Sequence, residues 1–196
     1  MRFAPGMPIF DEGESAAALY NVTSGTVKLY KHLPDGRRQI TGFLFAGDFL
    51  GLAVKETYSY SAEAVSETYV CRFPRQKLES VVRDFPHFQQ RLYSIASNEL
   101  AVAQDQMLLL GRKAAKEKIA SFLLTLSARA VRRGQPATPV ALQMGRSDIA
   151  DYLGLTTETV SRSFTQLKSA GVIRLMEGNK VDLAERDRLQ EIAEGN

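Results

Sequence analysis

The sequence of 196 residues is long enough for one large domain or two small ones, and its 44% hydrophobic and 24% charged residues are typical of soluble globular proteins. It contains no apolar run of the roughly 20 residues that a membrane-spanning helix needs, no secretory signal, and a single cysteine (Cys71), which excludes an intrachain disulfide framework. The formal net charge is +3, and the composition predicts a cytoplasmic protein with no metal-ligand cluster of His and Cys residues.

Residues 1–85 are predicted to form β structure. Runs rich in β-branched and aromatic residues alternate with Gly and Pro at spacings of roughly 8–12 residues, which is typical of a sandwich or barrel. These runs are LYNVTSGTVKLYKH, RRQITGFLFAGDFLG and AEAVSETYVCRFPR. SG (24–25) and PDGR (34–37) have the composition of hairpin turns, and no P-loop follows any of the strands.

A helical period begins at about Pro86 and breaks at Gly111. It carries a heptad seam in alternating steps of three and four residues, made of Tyr93, Ala96, Leu100, Ala103, Met107 and Leu110. A second apolar stripe lies elsewhere on this helix and consists of Phe88, Leu92, Ile95, Val102 and Leu109. Because one apolar face can pack on the helix's own domain, the second needs another partner, and we predict a parallel coiled coil with a second copy of the chain. A helix buried on two sides within one chain is the alternative.

The charge is concentrated after residue 110. Residues 111–180 hold 12 Lys and Arg against 5 Asp and Glu, whereas residues 1–110 hold 11 against 12. Such a basic block is expected of a nucleic-acid-binding unit, and a solvated basic surface is the alternative. Within it, KAAKEKIASFLLTLSARAV predicts an amphipathic helix with Lys and Arg outward and its apolar residues inward, namely Ile119, Phe122, Leu123 and Leu126. RRGQPATPV (132–140) predicts a loop.

The run RSDIADYLGLTTETVSRSFTQLKSAG (146–171) predicts two helices joined by a turn at Gly154, with Gly145 and Thr156 as their N-caps. The predicted inward residues are Ile149, Ala150, Leu153, Val160, Phe164 and Leu167. Glu158, Ser161 and Arg162 then share an exposed stripe on the N-terminal half of the second helix. In helix–turn–helix proteins that half enters the major groove.

These polar residues have the chemistry of DNA contacts. Arg162 can bind guanine O6 and N7 together, Glu158 can accept from a cytosine or adenine amino group, and Ser161 can contact a base edge or a phosphate. After Gly171, VIRLMEGNKVDL predicts a two-stranded wing from which Lys180 and Arg174 can reach phosphate. Further contacts to the DNA backbone are predicted for Arg146, Ser147, Thr156, Thr157 and Thr159.

The run DIADYLGLTTETVSRSFTQLKSAGVI resembles the signature of the CRP/FNR family of bacterial transcription regulators, and the resemblance extends over nearly the whole chain. The opening of the family's sensor barrel is matched by Phe3, Gly6, Ile9, Phe10, Glu12 and Gly13, and continues in SGTVKLYK and GDFLG (47–51). MLLLGRKAAKEKIASFLL resembles the helix junction of the FNR/FixK branch, which uses the pattern Glu158-x-x-Ser161-Arg162 at half-sites of TTGAT type.

The resemblance implies an α+β fold in three parts. These are an N-terminal cyclic-nucleotide-binding-like β-barrel of jelly-roll type (1–85), a dimerisation helix (86–111) and a C-terminal winged helix–turn–helix domain (112–196). It also implies a homodimer that binds palindromic double-stranded DNA and acts with RNA polymerase, and a chain that is not an enzyme.

Departures from the family pattern lie at the positions that bind effectors. The Glu and Arg that hold cyclic AMP in the family are matched by Leu52 and Tyr60, and without the cation the buried phosphate charge has no compensation. Cys71 resembles one iron–sulfur ligand, but the three N-terminal cysteines of oxygen-sensing members are absent, so Cys71 is predicted to be a small buried hydrophobe. The acidic residue that keeps apo subunits of oxygen-switched members apart is matched by Ala103.

We therefore expect a regulator that needs no cofactor. The alternatives are an effector-controlled regulator, which senses oxygen, redox state or a small molecule, and a regulatory module that does not bind DNA. An oxygen-sensing protein would need a cysteine-bearing segment before residue 1. A haem sensor is disfavoured, with His32 and His87 as its only candidate histidine ligands.

Overall fold

The computed structural model describes residues 1–52, 56–77 and 84–195. The chain divides into two compact units, Met1–Asp105 and Gln106–Asn196. Among the described residues, no helix has the length and apolar character needed to span a membrane.

The described part of the first unit contains eight strands. In chain order they are β1 (Arg2–Phe3), β2 (Pro8–Phe10), β3 (Ala18–Ser24), β4 (Thr26–His32), β5 (Arg38–Phe45), β6 (Phe49–Leu50), β7 (Ser61–Ala64) and β8 (Thr68–Pro74). They form two antiparallel four-stranded sheets, ordered β1-β8-β3-β6 and β2-β7-β4-β5, which is a jelly-roll arrangement of two sheets rather than a closed barrel. The three predicted β runs coincide with β3 to β8 and are confirmed.

Both sheets contribute to one hydrophobic core, to which Val22 and Val70 come from the first sheet and Val27 and Ala62 from the second. Cys71, by contrast, is exposed, so its predicted burial is wrong. Successive side chains of a strand point to opposite faces, and because Val70 points into the core, Cys71 points away from it.

Among the described residues, the helices with both ends described are α1 (Pro86–Arg112), α2 (Ala115–Arg132), α3 (Arg146–Leu153), α4 (Thr157–Ser169) and α5 (Arg186–Glu194). α1 runs one residue past Gly111, which therefore does not break it. The apolar seam residues of α1 are largely exposed in the single chain, with Tyr93 at 75%, Leu100 at 61% and Met107 at 70%. Ala96 and Ala103 are exposed and Leu110 is half-buried. In the second stripe, Leu109 is buried and Val102 exposed, whereas the side chains of Phe88, Leu92 and Ile95 lie outside the described residues.

The second unit contains a small sheet of β9 (Val140–Ala141), β10 (Arg174–Met176) and β11 (Lys180–Asp182), in the order β10-β11-β9, and α2 packs against β9, α4 and α5. The hairpin of β10 and β11 confirms the predicted wing. The predicted loop 132–140 differs at its end, because Val140 begins β9. The inward residues predicted for α2 are buried: Ile119, Phe122, Leu123 and Leu126.

Lys118 of α2 corrects the expectation that the Lys and Arg residues of this helix point outward. Lys118 is only 7% exposed, and its ammonium Nζ donates to the carbonyl oxygen of Leu153 at 3.1 Å. Leu153 is the last residue of α3, where carbonyl groups have no partner within the helix. A buried cation is therefore satisfied by the end of a neighbouring helix.

Candidate nucleic-acid interface

The turn between α3 and α4 is closed by local backbone chemistry. Gly154 ends α3 in the left-handed region with φ 61°, and its amide donates to the carbonyl oxygen of Ala150. Thr156 then caps α4, because its hydroxyl oxygen accepts from the amide of Thr159 at 3.2 Å. Gly145 precedes α3 as its N-cap. The predicted turn and both predicted N-caps are confirmed.

Buried side chains determine which face of α4 is exposed. Val160, Phe164 and Leu167 of α4 are at most 1% exposed, and Ile149 and Leu153 of α3 are fully buried. These apolar positions recur at helical spacing and hold α4 by one face against α3 and α2. The inward faces predicted for the two helices are confirmed.

Glu158, Ser161 and Arg162 are exposed, as predicted. Residues three and four apart are neighbours on a helix surface, so the three side chains form one stripe on the N-terminal half of α4. They lie opposite the buried face. This stripe is called the recognition stripe below.

The hydroxyl of Ser161 is already engaged within α4. Its Oγ donates to the carbonyl oxygen of Thr157 at 2.9 Å, and Thr165 makes the equivalent bond to the carbonyl oxygen of Ser161 at 3.0 Å. A hydroxyl has one hydrogen and two acceptor lone pairs. In this arrangement Ser161 offers only an acceptor to a ligand.

Arg146, at the start of α3, is half-buried rather than fully exposed. The central carbon of its guanidinium lies 3.4 Å from the centroid of the Phe164 ring, a cation–π contact that joins α3 to α4. Its Nη1 is buried and has no hydrogen-bond partner among the described residues, and burial lowers the pKa of the guanidinium. An unsatisfied donor of this kind has a free-energy cost.

The other candidate contacts to the DNA backbone surround the recognition stripe in sequence. Ser147, Thr156 and Thr157 are exposed near the two helix N-termini, where backbone amides favour anions. Thr159 is half-buried, and its hydroxyl lies 3.0 Å from that of Thr156. In the wing, Lys180 is exposed, and Arg174 lies 3.8 Å from the carboxylate of Asp182.

Aromatic side chains occupy the interior of the β unit beside the positions that hold cyclic AMP in the family. The Phe10 and Tyr58 rings stack with centroids 3.8 Å apart, and the hydroxyl of Tyr58 donates to the carbonyl oxygen of Ala18 at 2.7 Å. Burial raises the pKa of Tyr58 to about 12. The hydroxyl oxygen of Tyr60 accepts from the amide of Gly51 at 3.0 Å.

These residues do not fit a cyclic nucleotide. Tyr60 brings no positive charge to balance a phosphate. Its hydroxyl oxygen accepts the hydrogen bond of the Gly51 amide, which is therefore not available to a ligand. Leu52, in place of the family Glu, is 37% exposed and cannot accept a hydrogen bond from ribose through its side chain. Among the described residues there is no group of three or more His, Cys, Asp or Glu side chains that could hold a metal ion, and Cys71 is exposed.

Comparisons with known proteins assign the two units. A family model described as the cyclic nucleotide-binding domain matches residues 1–85, and one described as the Crp-like helix-turn-helix domain matches residues 117–192. The chain is 41% identical to the nitrogen fixation regulation protein FixK of Bradyrhizobium diazoefficiens over 98% of this chain and 81% of that protein. The chain belongs to the CRP/FNR family.

Other CRP/FNR relatives place the chain in the FixK-like branch. It is 46% identical to the transcriptional activatory protein AadR of Rhodopseudomonas palustris, over 88% of this chain and 72% of that protein. The solved structure of FixK2 from Bradyrhizobium japonicum superposes with a TM-score of 0.91 at 39% identity, covering 98% of this chain and 95% of that one. The chain is thus a CRP/FNR-type transcription regulator with a helix–turn–helix DNA-binding domain, and not an enzyme.

Two polar side chains that support the helix–turn–helix could not be predicted from the sequence. The side-chain amide of Gln106 donates to the carbonyl oxygen of Tyr152 at 2.9 Å, and Lys118 donates to that of Leu153. Gln106 stands next to Met107 of the seam and Lys118 lies in a run of charged residues, so neither has a local pattern that marks it. Only the position of α3 in space identifies them.

Proposed function

We propose that this CRP/FNR regulator binds palindromic DNA sites of TTGAT type as a homodimer, without cyclic AMP or an iron–sulfur cluster. The observation that carries the proposal is the recognition stripe, which stands exposed on α4 opposite a face that is almost completely buried. Polar residues in such a position contribute nothing to the core, and the first half of the second helix is the part that enters the major groove in helix–turn–helix proteins.

Each residue of the recognition stripe has a distinct role in this proposal. Arg162 contacts guanine O6 and N7 through two parallel hydrogen bonds, and Glu158 accepts from a cytosine or adenine amino group. Ser161, whose hydrogen is used by Thr157, accepts from a base amino group rather than donating to a phosphate. The stripe thus presents one donor group and two acceptors.

The contacts to phosphate are proposed for Ser147, Thr156, Thr157, Thr159 and Lys180. Arg146 is proposed as a further phosphate contact, because its guanidinium stacks on Phe164 and its Nη1 has no hydrogen-bond partner in the part of the chain that the structure describes. A guanidinium held on an aromatic ring is oriented before DNA arrives. Less conformational entropy is then lost on contact.

The homodimer is proposed to form through the seam of α1, Tyr93, Ala96, Leu100, Ala103, Met107 and Leu110. Three large side chains of this seam are at least 61% exposed in the single chain, which leaves apolar surface for a second copy to cover. A parallel pair of α1 helices presents two recognition helices, and half-sites about one DNA turn apart match such a pair. Ala103 on the seam introduces no charge that would oppose pairing.

The regulator is proposed to act in the cytoplasm with RNA polymerase as partner. We propose that its amount in the cell rather than a bound cofactor sets its activity, which is supported by Tyr60, because this side chain brings no positive charge to balance a cyclic phosphate. DNA affinity measured with and without oxygen, and without added ligand, tests this part. Tight binding that is independent of oxygen supports the proposal, whereas dependence on oxygen would contradict it.

The base contacts are tested by Arg162→Ala. The expected loss on a TTGAT-type palindrome is about 1–3 kcal/mol, with a relaxed preference at the guanine position, because a bidentate contact to one base is lost. Lys180→Ala is the matched comparison, since loss of a phosphate contact weakens binding to all sequences alike and lowers the salt dependence. An Arg162→Ala protein that still separates the palindrome from scrambled DNA as wild type does would overturn the assignment.

A further inference from the structure

The end of α3 is held from outside the helix–turn–helix by two donors. The Gln106 side-chain amide donates to the Tyr152 carbonyl oxygen at 2.9 Å, and Lys118 Nζ donates to the Leu153 carbonyl oxygen at 3.1 Å. The last carbonyl groups of a helix have no partner within it, so each needs a donor from elsewhere. Here the donors come from the last turns of α1 and the first turn of α2.

The same end of α1 also packs on the turn. A Cβ atom placed on Gly154 would lie 3.5 Å from Cδ2 of Leu110, so a side chain of α1 is in van der Waals range of the turn. Gly154 is two residues before Thr156, the cap of α4. Residues 106–110 of α1 therefore contact the end of α3 and the turn at Gly154, and this short turn leads directly into α4.

We propose that Gln106 is a positioning residue for DNA binding, which ties the helix–turn–helix to the end of α1. The inference rests on the proposed function, in which α1 pairs with a second copy. A palindrome requires two recognition helices at one spacing, whereas a half-site requires only one. Loosening the attachment to α1 should weaken binding to the palindrome and leave binding to a half-site unchanged.

Gln106 suits this test because its removal does not leave a hole in the core. It is only half-buried, unlike Lys118, and water can reach the Tyr152 carbonyl when the amide is gone. Gln106→Met preserves length and removes both donors, whereas Gln106→Lys restores a donor at the same carbonyl. Gln104, exposed two residues earlier on α1, provides Gln104→Met as the matched control.

The experiment measures fluorescence anisotropy on a labelled palindrome and on a half-site at low salt, with circular dichroism and sedimentation to confirm folding and dimerisation. The net contribution of a hydrogen bond corresponds to a factor of about 2 to 10, and the dimer contains two copies. Gln106→Met should therefore weaken palindrome binding by about 4- to 100-fold with half-site affinity unchanged. Gln106→Lys should recover most of the loss, and Gln104→Met should equal wild type.

Two results would overturn the inference while leaving the proposed function intact. One is a Gln106→Met protein that binds the palindrome as tightly as wild type. The other is an equal loss on palindrome and half-site, which would make Gln106 a general support of the helix–turn–helix fold. A wild-type protein that does not prefer the palindrome would instead remove the proposed function, and this inference with it.

Discussion

Replacing Leu100 with Glu tests the seam of α1 against a closely matched control on the same helix. Leu100 is 61% exposed and Leu108 is 64% exposed, so the two residues have nearly the same solvent exposure in the single chain. Only Leu100 lies on the heptad seam. If the seam pairs with a second copy, Leu100→Glu should dissociate the dimer and Leu108→Glu should not.

The size of the effect follows from the exposed surface. Complete burial of a leucine side chain contributes about 1.5–3 kcal/mol. Since 61% of Leu100 is still exposed, pairing would add about 1–2 kcal/mol per chain and about 2–4 kcal/mol per dimer. At about 1.4 kcal/mol for each factor of ten, the dimer dissociation constant should rise about 30- to 700-fold, and repulsion between two facing carboxylates adds to this.

Sedimentation equilibrium at several protein concentrations measures both dissociation constants, and circular dichroism verifies that each variant keeps its helices. Leu108→Glu is expected to stay within about twofold of wild type, as is usual for a solvent-facing substitution. Equal dissociation constants for the two variants would refute the reasoning, because a residue on the heptad seam would then matter no more for dimerisation than one outside it.

The further predictions concern stability. Thr156→Ala removes the cap of α4 and should lower the free energy of unfolding in urea by about 1 kcal/mol, whereas Thr156→Ser should retain most of it. Gly154→Ala, at φ 61°, should cost about 1–2 kcal/mol from backbone conformation alone. Gly25→Ala should cost more, since its added Cβ would collide with the carbonyl oxygen of Glu67 as well, and equal losses in thermal unfolding would contradict this. Because burial raises the pKa of Tyr58 from 10.0 to about 12, its contribution to stability is complete below pH 10 and is lost as the pH rises towards 12. Tyr58→Phe should flatten that part of the stability profile, and an unchanged alkaline slope would argue against the raised pKa.

Local patterns in the sequence are sufficient for most of the secondary structure. Runs of β-branched and aromatic residues between Gly and Pro mark β3 to β8, and helical spacing of apolar residues marks α1 to α4. The turn at Gly154 and the cap at Thr156 are predictable for the same kind of reason, since each depends only on residues close in sequence.

Features that depend on distant parts of the chain are not predictable in this way. Strand β9 has two residues, and it exists because Val140 pairs with Val181, 41 positions later. Lys118 has the composition of an exposed residue and is buried because the end of α3 supplies a carbonyl group. Arg146 likewise lies on Phe164 only once α3 and α4 have packed.

Two other differences had a local signal that the sequence prediction did not use. In α5, Leu189 and Ala193 are buried four residues apart, which is a helical spacing within an otherwise charged segment. Cys71 follows Val70 on a strand, and strict alternation places the two on opposite faces. In α5 the prediction followed the many charged residues, and at Cys71 it followed the apolar nature of the thiol. In both cases the spacing of the buried residues would have given the right answer.

The stacked rings of Phe10 and Tyr58 also bear on how this chain could be re-engineered. Introducing Glu at Leu52 and Arg at Tyr60 would restore the two charged groups of a cyclic-AMP site, but the rings would remain and the Gly51 amide would lose its acceptor. Truncating the rings first would leave a cavity in the β unit, at about 3–5 kcal/mol for a large aromatic side chain. Every single-step route to a nucleotide-responsive variant therefore passes through a less stable protein, and a successful design must change the charges and the core together.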